Sequence, residues 1–141
     1  MKREYVELIL RGCGLVHFSI LIASAMVPRV LDWKTHLAPL HPFLRRLFWV
    51  YGVFIVMTIT GFGAISLGCA GELAAGSPLA RAFCGFVAFF WLARLAVQCF
   101  VFDASEFLTT WWLRLGYHAL TIAFTLLPMP YAFIALGVWK L

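Results

Sequence analysis

Residues 43–67 read FLRRLFWVYGVFIVMTITGFGAISL, and from Leu47 to Leu67 no charged residue occurs. A helix rises about 1.5 Å per residue, so roughly 20 residues cross the hydrocarbon layer of a bilayer. Inside that layer backbone N–H and C=O groups find no water, and a single crossing segment must satisfy them within itself, as a helix does. Pro42 suits the first turn of such a helix. Arg45, Arg46 and Trp49 mark its beginning at the membrane interface.

Three more apolar stretches flank this one, at about 6–27, 79–102 and 107–127, the last continuing to 139. The expected fold is therefore all-α, a four-helix transmembrane bundle forming a single domain over residues 1–141. Composition agrees. Of the 141 residues, 64% are hydrophobic and 12% charged, against about half and about a quarter in soluble domains. A chain this short has too much surface to hide that excess from water.

The first stretch is expected to stop before Pro28. Met1-Lys2-Arg3 and Ala23-Ser24-Ala25 resemble parts of a secretory signal, but Glu7 and Arg11 interrupt its start, so a retained helix is expected. Glu7 and Arg11 are one turn apart and are expected to pair. Between spans one and two, Leu31, Trp33, Leu37 and Leu40 give the polar connection an apolar side, as in a short helix lying on the membrane. In span two, Gly61, Gly63 and Gly68 would let a neighbouring helix approach closely. Ser77-Pro78 is a helix start, with an N-cap hydroxyl followed by proline. Asp103 and Glu106 have capping-box spacing and place the fourth start there. Pro128 and Pro130 should kink that helix. Bulky Phe and Trp are expected mainly on lipid or partner surfaces, with small residues at helix contacts.

The net charge of +5 is spread over the ends of the apolar stretches and points to lipid headgroups, not nucleic acid. Lys2, Arg3, Arg11, Arg81 and Lys140 fall on one side; Arg29, Lys34, Arg45, Arg46 and Arg114 fall on the other. The positive-inside count is a tie, and both termini are assigned to the cytoplasm only as an expectation. Cys13, Cys69, Cys84 and Cys99 form no CxxC pair and read as small buried hydrophobes, although Cys69 and Cys84 could lie near one membrane face.

Polar residues within spans are the candidates for function. Counting depth along the helices puts Tyr51, Arg94, Gln98 and His118 in one half of the bilayer, with His17 somewhat deeper. If their faces converge they form a pocket for a lipid-, quinone- or isoprenoid-like ligand, Arg94 taking an oxygen anion and His118 serving as acid or base. His17 and His118 are also the candidate pair for ligating haem from two helices, in a haem or pigment carrier. Asp32, His36 and His41 match no metal signature, and no metal is expected. No catalytic motif is present, so enzymatic activity stays open. Small size and short loops favour an accessory or assembly subunit of a larger membrane complex, or a homo-oligomer.

Overall fold

The computed structural model describes residues 2–103 and 105–139. The described residues form seven helices: α1 (Arg3–Val30), α2 (Trp33–Leu37), α3 (Pro42–Gly68), α4 (Ala70–Ala74), α5 (Pro78–Phe100), α6 (Trp111–Leu126) and α7 (Pro128–Ala135). Four units are long and apolar enough to cross a membrane: α1, α3, α5 and the joined α6–α7. The protein is thus a multi-pass membrane protein built as an all-α four-helix bundle.

Local chemistry accounts for most boundaries. Ser77 accepts a hydrogen bond from the Ala80 N–H at 3.2 Å, with Pro78 as the first helical residue. His41 does the same for Phe43 at 3.2 Å, ahead of Pro42. The end of α7 is a Schellman motif: Gly137 adopts φ 67°, and the N–H groups of Val138 and Gly137 reach the carbonyls of Phe133 and Ile134. Lys140, expected to end the tail, lies outside the described residues.

Three expectations are corrected. Helix α1 runs through Pro28 to Val30, because a proline in the last turn removes a single hydrogen bond and Leu31 N–H still reaches Val27 O. The fourth span starts at Trp111, not near Asp103. The Asp103 carboxylate accepts from the Ser105 N–H at 3.1 Å, closing a local turn, and Thr110 caps α6. Bonds to Ser105 hold the Asp103 carboxyl below its ordinary pKa. Finally, Glu7 pairs with Arg3 at 3.2 Å rather than with Arg11. Both partners are one turn away, but the Arg3 guanidinium also donates to Gly71 O at 2.7 Å, which fixes it over α4.

The core is lopsided. Buried residues of α1 run from Val6 to Ile20 and then cease; in α3 none occurs before Ile59; in α6 only Phe124 is buried. The packed half therefore joins the start of α1, the end of α3, α4, the first part of α5, and α7. Small residues mark its contacts, including Gly14, Gly63, Ser66, Cys84 and Ala88. A Cβ added to Gly14 would stand 3.0 Å from Gly63 O, which shows how closely α1 and α3 cross. Gly61 and Gly68, expected at such a contact, face open space. Most Phe and Trp residues are exposed as expected, but Trp91, Phe62 and Phe124 are buried. All four cysteines are free, with Cys84 buried and Cys69 exposed.

Candidate functional site

Two polar groupings lie within the spans, and they have different characters. The first is sealed in the packed half. His17 Nδ1 lies 2.7 Å from Cys13 O, and Trp91 Nε1–H donates to His17 Nε2 at 2.9 Å. An indole N–H can only donate and a carbonyl can only accept, so the two bonds fix the Nδ1–H tautomer. Edge-on contacts with Phe62 and Tyr131 hold the imidazole on other sides. Next to it the Ser66 and Tyr131 hydroxyls bond at 2.5 Å. Every polar atom here has a partner, so this grouping holds α1, α3, α5 and α7 together and leaves no ring nitrogen free for a ligand.

The second grouping spans α5 and α6 in the open half. Gln98 Nε2–H donates to Thr121 Oγ1 at 2.6 Å, and Thr121 Oγ1–H donates back to Tyr117 O at 3.0 Å. The Tyr117 hydroxyl donates to the Gln98 carbonyl at 3.4 Å. One turn before Gln98, the Arg94 guanidinium carbon lies 5.1 Å from the centroid of Phe124 and 5.4 Å from that of Phe102. The guanidinium therefore lies between Phe124 of α6 and Phe102, just past the end of α5. Its Nη1 is buried and has no hydrogen-bond partner among the described residues. No ion pair joins Arg94 to Asp103 there.

Of the five residues suggested by depth, Arg94 and Gln98 share the face of α5 turned to α6. The other three lie apart. Tyr51 is 60% exposed on the first half of α3. His118 is exposed on α6, touching Tyr117 edge-on. His17 belongs to the sealed grouping. Ligation of haem by His17 and His118 would first require breaking the Trp91 bond that occupies His17 Nε2. Near the first connection, His36 Nδ1 is held by the Leu31 and Asp32 carbonyls, and His41 Nδ1 caps α3. No cluster of metal-ligating side chains occurs among the described residues.

Depth along a helix gives height but not facing, so Thr121 and Tyr117 were not legible as Gln98's partners. Trp91 as the partner of His17 had no sequence signal beyond its apolar surroundings. No family model, curated protein or solved structure matches this chain.

Proposed function

We propose that this small polytopic membrane protein holds an anionic or carbonyl-bearing, lipid-like molecule at Arg94, beside Phe102 and Phe124. The observation that carries the reading is the unpartnered buried Nη1 of Arg94. A guanidinium N–H buried without an acceptor is costly, and cation–π contacts return only about 0.5–2 kcal/mol. An oxygen anion or carbonyl would supply the missing charge-assisted bond. The surroundings suit an amphiphile: Phe102, over whose ring the guanidinium lies, is 55% exposed and offers an apolar surface beside it. His118 stands away from Arg94, and Gln98 and Thr121 satisfy each other. The arrangement supports binding more than acid–base chemistry.

The test is the molecule that remains with the protein through mild-detergent purification. Organic extraction and mass spectrometry of the wild type should find an acidic or carbonyl-bearing amphiphile near one per chain. Arg94→Gln should lose it while staying helical and monodisperse, and His118→Ala should keep it. Equal retention by wild type and Arg94→Gln would refute the reading.

A second reading, an accessory subunit or homo-oligomer, is favoured by a separate observation. Gly12, Gly52, Gly61 and Gly116 have nothing within 4 Å of an added Cβ, so they leave bare backbone on the outer faces of three spans. Bare backbone is what a helix of another subunit packs against. Gly52→Leu should leave the isolated chain folded and remove a stoichiometric partner from mild-detergent preparations. Retention of the partner would count against this reading.

A further inference from the structure

A cavity of about 380 Å3 opens where α1 ends, α2 lies and α3 begins. Its wall carries Arg29, Lys34 and Arg45, set among Trp33, Leu37 and Trp49. Trp33 meets Phe48 and Trp49 edge-on at 4.9 and 5.2 Å between centroids, so the indoles are braced as a rigid rim. None of the three cations makes an ion pair or a side-chain hydrogen bond among the described residues. Asp32, next to Trp33 in sequence, has no Lys or Arg nitrogen within ion-pair distance. At the opposite end of the bundle the arrangement differs. There Arg3 is committed to Glu7 and Gly71 O, and Arg81 Nε donates to Ala135 O at 3.0 Å.

We propose that this cavity binds the phosphate of an anionic phospholipid headgroup, with Arg29, Lys34 and Arg45 as its donors and Trp33 and Trp49 against the glycerol and upper acyl chains. Three features carry the assignment. The charges converge on one concavity and lack acceptors of their own. The cavity sits where two spans end, at the depth of headgroups. The indoles have one apolar face and one polar edge, which suits the membrane–water boundary. A freely soluble phosphate would use the cations but leave Trp33, Leu37 and Trp49 without a role. Arg94 does not line the cavity, so the two proposals stand separately.

The full chain in neutral detergent is titrated with dioctanoyl phosphatidylglycerol, dioctanoyl phosphatidylcholine and glycerol 3-phosphate, reading tryptophan emission and native mass spectra. Phosphatidylglycerol should bind at least about tenfold more tightly than phosphatidylcholine, since each basic residue near an anionic surface is worth about fivefold. The triple variant R29Q/K34Q/R45Q should lose that preference, and Arg46→Gln, outside the cavity, should keep it. Should the triple variant fail to fold, Arg29→Gln and Lys34→Gln alone should each weaken binding about fivefold. Arg94→Gln should leave these affinities unchanged, which separates this site from the one above. Equal binding of the two lipids, or full affinity in the variants, would overturn the proposal. Glycerol 3-phosphate binding as tightly as phosphatidylglycerol would overturn it as well, in favour of a soluble anion.

Discussion

Replacing Gly14 by alanine should destabilise the bundle, and the same change two residues earlier should not. The added Cβ at Gly14 would meet Leu67 Cγ at 2.6 Å and Gly63 O at 3.0 Å. The leucine can swing aside, but the carbonyl belongs to the α3 backbone and moves only with the helix. Overpacking of this kind costs about 1–3 kcal/mol, against roughly 1 kcal/mol gained by replacing glycine in a helix. The net expectation for Gly14→Ala is a loss of up to about 2 kcal/mol. At Gly12 nothing lies within 4 Å, so Gly12→Ala keeps only the helical gain. The two variants should differ by about 1–3 kcal/mol. Unfolding in mixed micelles of increasing sodium dodecyl sulfate fraction, followed by circular dichroism, measures the difference. A Gly14→Ala protein at least as stable as Gly12→Ala would refute the close α1–α3 crossing on which the packed half is built.

Trp91→Phe keeps most of the ring but leaves His17 Nε2 without a donor, and should cost about 1–2 kcal/mol in the same unfolding assay; an unchanged midpoint would remove the bond as a structural element. Haemin added to the purified protein should give no bis-histidine spectrum, because His17 is engaged at both nitrogens and His118 is on the surface; a bis-histidine Soret band would contradict this placement. Gly137→Ala forces a Cβ into the left-handed conformation and should cost about 1 kcal/mol, read as fraying of the α7 end by hydrogen exchange. The turn at Asp103 should respond to acid: its folded pKa lies below the ordinary value of 3.8, so its contribution is present above that value and fades as pH falls through the folded pKa. Amide exchange at Ser105 should quicken there in wild type but not in Asp103→Asn.

The architecture was legible because lipid imposes a simple rule: a long uncharged run has to cross as a helix. Ser77-Pro78 announced its helix start through a local device, a hydroxyl cap followed by a residue that needs no N–H partner. Asp103 and Glu106 misled for an equally local reason. Their spacing fits a cap, but the Asp103 carboxylate spends itself on Ser105, and Thr110 lies better placed before the apolar run. Arg94 stood out as an expensive charge at depth, and its unpartnered nitrogen carries that oddity into three dimensions. The rotation of each helix was not legible, since an apolar surface faces lipid and core alike. Tyr51 and His118 therefore shared a depth with Arg94 without sharing its surroundings. Tyr131, read as part of an apolar tail, proved to hold Ser66 in the core.

The most direct measurement is an experimental structure of the protein in a lipid nanodisc, examined at Arg94 Nη1. Non-protein density is expected beside that guanidinium, with an oxygen about 2.7–2.9 Å from one of its nitrogens, continuing as an apolar chain along Phe102 and Phe124. A carboxylate from another subunit at that position, or a guanidinium turned out to water with no density beside it, would contradict it.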